Sequence, residues 1–208
     1  MRSLVVIGGG GHAKVLIEAL LSLGVSVSGY TDLEKGDPIQ GVCYWGTDDQ
    51  ILRHNADKIQ LVNGVGMVKS SQRRADIFRR FKQLGYSFAT VIHNSAVIAR
   101  GVELGEGVQI MAGAIVQPGC NIWANSIINT RAAVDHDAHI GENVHIAPGA
   151  TLSVGVVVED GAHVGTGATI MQNIRIGANS TVGAGAVVIK NIPPNVTVIG
   201  VPARILNS

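Results

Sequence analysis

The stretch Ile140-Gly141-Glu142-Asn143-Val144-His145-Ile146-Ala147-Pro148-Gly149-Ala150-Thr151-Leu152 places an aliphatic residue at every sixth position and a small or aliphatic one four residues after each. Extending it both ways by steps of six gives Ile92, Ile98, Leu104, Ile110, Val116, Ile122, Ile128 and Val134, and then Val158, Val164, Ile170, Ile176, Val182 and Val188. The second column runs from Ala96 through Val108, Ala114, Cys120, Ser126, Ala132 and Ala138 to Ala186. A period of six fits neither an amphipathic helix nor an alternating strand. It fits a triangular coil whose sides are single hexapeptides, with the aliphatic residue inward and a small residue completing the core. Three sides make one coil, and successive coils stack as parallel strands about 4.8 Å apart. Residues 92–190 therefore predict a parallel β-helix without a slip in register.

Composition agrees with short strands and tight turns. Of 208 residues 46% are hydrophobic but only 4% aromatic, and 27 are glycine, so Ile, Val and Ala must fill the core. A net charge of +1 gives no reason to expect nucleic acid or an anionic membrane as partner. Cys43 and Cys120 have no metal-type spacing and give no disulfide framework, which favours a reducing compartment. The apolar run Leu4 to Ile7 is too short for a signal peptide, and no stretch approaches the ~20 apolar residues of a membrane span. The expected location is cytoplasmic, with no membrane insertion.

Residues 1–88 read differently. Leu4 to Ile7 is a short buried strand, followed by Gly8-Gly9-Gly10-Gly11-His12-Ala13 and a helix carrying Val15, Leu16, Ala19, Leu20 and Leu23. Val25 to Tyr30 reads as a second strand and Lys58 to Gly66 as a third. A basic helix with Arg73, Arg74, Arg79 and Arg80 follows, then a linking strand through Val91. The result is a βαβ unit with a glycine-rich turn, half of a dinucleotide fold. Glycines let the backbone approach a phosphate, and a helix N-terminus offers free N–H groups. Asp32 stands where an acid can bind a ribose hydroxyl. The turn also fits simple helix-on-strand packing. A nicotinamide-dependent dehydrogenase is the alternative, but the second mononucleotide half is missing. The predicted division is a nucleotide-sugar-binding domain at 1–88 and a β-helix at 89–208.

Five of the seven histidines lie in the repeats: His93, His136, His139, His145 and His163. His136 is flanked by Asp135 and Asp137, and a neighbouring carboxylate stabilises imidazolium and sets the tautomer, as a general base requires. His145 and His163 should stack one coil apart, whereas His136 and His145 should sit at different corners of one chain. An active site between neighbouring subunits would bring two such corners together. The histidine spacings do not suit the three-histidine zinc site of γ-type carbonic anhydrases, so no metal is expected. Cys120 falls on the inward column and is expected in the core.

These residues resemble the sialic acid O-acetyltransferase and bacterial sugar-nucleotide N-acetyltransferase family, whose members acetylate UDP-4-amino sugars and GDP-perosamine. The resemblance rests on Gly8 through His12, Ile128-Asn129-Thr130, Val134-Asp135-His136-Asp137, Gly141 through Ala150, and the less specific closing Ile199-Gly200-Val201-Pro202-Ala203-Arg204. It implies a left-handed coil, a homotrimer with active sites between subunits, and acetyl-CoA as cosubstrate. It further implies His136 as general base with Asp137 beside it, where Glu is common in the family, and Asn129 orienting the site. His145, Thr166, Ala184, Lys190 and Arg204 would meet acetyl-CoA. Gly10, Gly11, His12, Asp32, Gly64 and Gly66 would meet a nucleotide sugar. N-acetylation of a 4-amino sugar, O-acetylation of a hydroxyl, and a non-catalytic sugar-nucleotide-binding trimer are the readings left open.

Overall fold

The computed structural model describes residues 3–67 and 72–206. Its N-terminal part is a parallel sheet in the order β3-β2-β1-β4-β5, with β1 at Ser3–Ile7, β2 at Val27–Thr31, β3 at Tyr44–Gly46, β4 at Ile59–Asn63 and β5 at Ser87–Phe88. Alternation along β1 explains the layers. Leu4 and Val6 face helix α1 (Gly11–Ser22), while Val5 and Ile7 pack with Phe81 of helix α2 (Gln72–Gln83). A strand buried on both faces needs the continuous apolar run that Leu4 to Ile7 supplies.

Several sequence expectations shift. Strand β3 was not foreseen, and the chain near 87–88 joins the sheet instead of only linking to the prism. The third strand ends at Asn63, so Gly64 to Gly66 form a loop. Ile17 is buried in α1, whereas Val15 and Leu23 are each 44% exposed. That face follows from what covers the helix: Leu16, Ile17 and Leu20 share a core with Val91, Met111 and Ile127 of the prism. Helix α1 is thus a middle layer between its own sheet and one prism face.

The prism consists of three parallel sheets whose two-residue strands pair 18 residues apart in sequence, from Val91–Ile92 to Val187–Val188. The aliphatic column from Ile110 to Val188 and the small column from Val108 to Ala186 form one buried core. Cys120 belongs to it, and both cysteines are free thiols. Ile92, at the first edge of the stack, is 37% exposed because no coil precedes it. Many corners need a left-handed backbone. Gly supplies most of them, and Asn125, Asp137 and Asn143 supply others at φ 59°, 60° and 55°.

Candidate active site

Two groups of polar residues stand out, one on an open corner and one in the seam between the N-terminal part and the prism. The corner carries His136 and Asp137 directly after the strand Ala133–Val134. His136 Nδ1 lies 2.7 Å from Asp137 Oδ2, and the His136 N–H donates to Asp135 Oδ1 at 2.8 Å. An ionised carboxylate only accepts, so the neutral imidazole carries its proton on Nδ1 and leaves the Nε2 lone pair free. The hydrogen bond to Asp137 raises the His136 pKa above its usual value; desolvation opposes it, and the charges of Asp135 and Asp137 add smaller upward contributions. Gly119, one coil earlier, is required here. It has φ +75°, and a side chain on it would strike the Asp137 carboxylate.

The seam is built differently. His145 and His163 are adjacent rungs on the prism face that α1 covers, with ring centroids 4.9 Å apart. The Asn129 Oδ1 accepts the Thr130 N–H at 2.8 Å, so its amide nitrogen donates to His145 Nε2 at 2.9 Å. The proton of neutral His145 is therefore on Nδ1, which is buried near the Met67 backbone and makes no well-formed hydrogen bond among the described residues. Burial, aided by His163, His12 and Arg74, holds the His145 pKa down to about 3, with the Met67 carbonyl pulling weakly the other way. His163 is also lowered by burial.

Gln109 was not singled out from sequence, yet it ties the seam. Its amide donates to the Asn63 carbonyl at 2.8 Å, so its oxygen accepts from His12 Nε2 at 2.7 Å. Burial, with the Arg74 charge, lowers the His12 pKa to about 4. Arg74 is fully buried and donates to the carbonyls of Asn63, Val65 and Asn125 at 2.8–3.0 Å. Its Nη2 has no partner among the described residues, and burial lowers its pKa to about 9. The signal in the sequence was ambiguous: the outward neighbours of Gln109, Val91 and Ile127, are apolar, but so are the exposed Val97 and Ile115 on another face.

At the glycine-rich turn, Gly10 caps α1 with no side-chain hydrogen bond and no acid in the first turn. A Cβ on Gly10 or Gly11 would meet nothing within 4 Å, so the helix N-terminus stands open. Asp32 uses Oδ2 to accept the Gly9 N–H and Oδ1 to accept the Leu33 N–H, both at 2.7 Å, which pins the turn to the end of β2. Gly64 is needed for packing, since a Cβ there would meet the Ile7 oxygen at 2.7 Å and Ala13 at 2.9 Å. Gly66 lies against His12.

Thr166 and Ala184 share one exposed corner on successive coils, beside Gly149, Gly167 and Gly185, where an added Cβ would meet nothing. Lys190 and Arg204 are exposed near the last coil. Among the described residues no group of three or more His, Cys, Asp or Glu could hold a metal ion, and no helix is long and apolar enough to cross a membrane.

An α/β domain with an open helix N-terminus, set on a hexapeptide prism with an Asp-paired histidine, defines a hexapeptide-repeat acyltransferase. Known families agree: the PglD N-terminal domain matches residues 3–81, the hexapeptide repeat of succinyl-transferase 137–172, and the bacterial transferase hexapeptide 155–190. The chain is 38% identical to PerB from Caulobacter crescentus, solved with CoA and GDP-perosamine, covering 100% of this chain and 98% of that one at a TM-score of 0.93. It is 34% identical to the acetyltransferase domain of PglB from Neisseria gonorrhoeae FA1090, covering 99% and 100% at a TM-score of 0.94. That domain has also been solved with acetyl coenzyme A. WeeI from Acinetobacter baumannii AYE is similar at 27% identity and a TM-score of 0.83, covering 99% and 100%. No curated protein matches the chain. The chain belongs to the sugar-nucleotide acetyltransferase family, in which a PglD-type domain precedes a left-handed β-helix of hexapeptide repeats.

Proposed function

We propose that the chain transfers the acetyl group of acetyl-CoA to the amino group of a nucleotide-linked 4-amino sugar. The observation that carries this reading is the His136–Asp137 pair, whose geometry leaves a basic Nε2 free on an open corner. His136 takes a proton from the amine as its nitrogen bonds to the thioester carbonyl carbon. The C–S bond breaks, and the proton passes on to the CoA sulfur. No acyl-enzyme is needed. The Cys120 thiol is buried in the core, its pKa is raised by that burial, and it donates to the Asp135 carbonyl.

The residues present fit acetyl-CoA. The corner of Thr166, Ala184 and the bare glycines beside them is smooth enough for an extended pantetheine, and Lys190 and Arg204 supply charge for phosphates. His145, with its tautomer set by Asn129, stays neutral and does not compete for protons. The N-terminal domain holds the nucleotide sugar, with its diphosphate at the uncapped start of α1 beside Gly10, Gly11 and His12. Asp32, Gly64 and Gly66 hold that turn in shape. His136 and the seam belong to different faces of one chain, and a homotrimer with sites between subunits joins them. PerB binding both CoA and GDP-perosamine supports the two-ligand reading.

The test is release of CoA thiol from acetyl-CoA with UDP-, dTDP- and GDP-linked 4-amino sugars. Release with an amino sugar, lost by about 10² or more in His136→Ala while the assembly stays intact, is expected. Undiminished turnover in that variant would remove His136 from the chemistry. Release with hydroxyl acceptors but no amine would turn the reading to O-acetylation.

A further inference from the structure

Between the start of α1 and the loop that follows β2 lies an open cavity of about 440 Å³, lined by Gly9, Lys14, Tyr30, Gly36, Asp37 and Gln40 among others. It adjoins the turn assigned above to the diphosphate, but no role assigned so far uses Lys14 or Asp37. Its walls are held. Tyr30 is 2% exposed and forms the floor, donating its hydroxyl to the Asp37 carbonyl at 2.7 Å. A Cβ at Gly9 would meet the Tyr30 ring at 2.8 Å, and one at Gly36 would meet its hydroxyl at 2.5 Å, so both glycines keep the space clear. Beyond Asp37 the loop is closed by reciprocal hydrogen bonds between Ile39 and Val42 at 3.0 and 2.9 Å.

Two opposite charges line this cavity. Among the described residues neither the Asp37 carboxylate nor the Lys14 ammonium makes an ion pair or a side-chain hydrogen bond. We propose that the cavity receives a guanine base, so that the substrate is a guanosine diphosphate sugar. This rests on the nucleotide-sugar reading and deepens it. Only guanine offers two adjacent donors, N1–H and the N2 amino group, with the O6 acceptor next to them. The Asp37 carboxylate accepts both donors at once, and the other charge lining the cavity, the Lys14 ammonium, is available to O6. Uracil and thymine present one N–H flanked by two carbonyl oxygens, which a carboxylate repels. Adenine and cytosine place a ring-nitrogen acceptor beside their amino group, so the second carboxylate oxygen meets a lone pair. A bidentate match of this kind discriminates by about ten- to a hundredfold.

The experiment is calorimetric binding of GDP, UDP, dTDP and ADP to the full-length protein, wild type and Asp37→Asn, alongside thiol release with the corresponding amino sugars. GDP should bind the wild type at least tenfold more tightly than the others. Asp37→Asn should remove most of that preference and leave UDP binding unchanged. Tighter binding of UDP or dTDP than of GDP, or a GDP affinity indifferent to Asp37→Asn, would overturn the guanine assignment. Acetyl transfer to a UDP- or dTDP-linked sugar would then leave the proposed reaction standing. Selective GDP binding with no thiol release from any donor would support the base site and sink the acetyl-transfer reading instead.

Discussion

The corner and the seam use the same residue type and tune it in opposite directions. His136 stands in solvent with the Asp137 carboxylate in contact and that of Asp135 nearby, and its pKa rises. His145 is 7% exposed, with two other imidazoles and a guanidinium around it, and its pKa falls to about 3. A group meant to take a proton needs water and an acid beside it. A group meant to stay neutral needs burial and no acid. The prism offers both settings because each coil exposes corners on some sides while another domain covers one face. Catalytic sensitivity should therefore concentrate at the corner, and stability should concentrate in the seam.

The largest effect of a single substitution is expected in the seam. Arg74→Met removes a donor from the carbonyls of Asn63, Val65 and Asn125; the Asn63 carbonyl keeps its hydrogen bond from Gln109, whereas those of Val65 and Asn125 lose theirs. A loss of about 2–3 kcal/mol in chemical denaturation follows. Arg74→Lys keeps the charge but cannot reach all three carbonyls, so it should fall between. A wild-type denaturation midpoint for Arg74→Met would show that the two parts do not depend on this contact.

The seam should also be acid-labile. His12 and His145 titrate near their ordinary 6.5 when unfolded but near about 4 and about 3 when folded. Between those values the unfolded chain binds more protons than the folded one, so stability is lost as pH falls from about 6.5 toward 4. The loss should be on the order of 4 kcal/mol between pH 7 and 5, about half of it from each histidine. Thermal midpoints across that range measure it, and His12→Asn, which removes one of the two titrating imidazoles, should flatten the slope. A midpoint independent of pH over this range would mean that the seam histidines are not buried in solution.

How legible each region was from sequence follows from the range of its contacts. The prism repeats a local rule every six residues, so its columns, the core position of Cys120 and the stacking of His145 on His163 could all be read directly. The His136–Asp137 pair was equally visible because its members are adjacent. The seam was not visible. His12 meets Gln109 across 97 residues and Arg74 meets Asn125 across 51, and no periodicity links them. Arg74 also looked like one more charge on a basic helix, whereas the carbonyl cluster at the end of β4 draws it inside. The outward face of α1 was misjudged for the same reason. Helical spacing allows several apolar stripes, and only the prism decides which one is covered.

The smallest effect tests the corner through Asp137→Asn. The backbone there is left-handed at φ 60°, and asparagine already occupies the like corners at 125 and 143, so the fold accepts the change. Side-chain exposures of 49% and 68% for the pair mean that stability should not move. The rate should. As a base, His136 works only unprotonated, so kcat/KM should rise with pH through a pKa above 6.5 and then level off. Removing the carboxylate's acceptor role takes away the largest cause of that elevation. The acid limb should move down toward 6.5, and the plateau should fall about tenfold because the base is weaker and its ring less firmly oriented. A pH profile that keeps both its limb and its plateau in Asp137→Asn would mean that Asp137 does not tune His136. The contrast between corner and seam would then rest on burial alone.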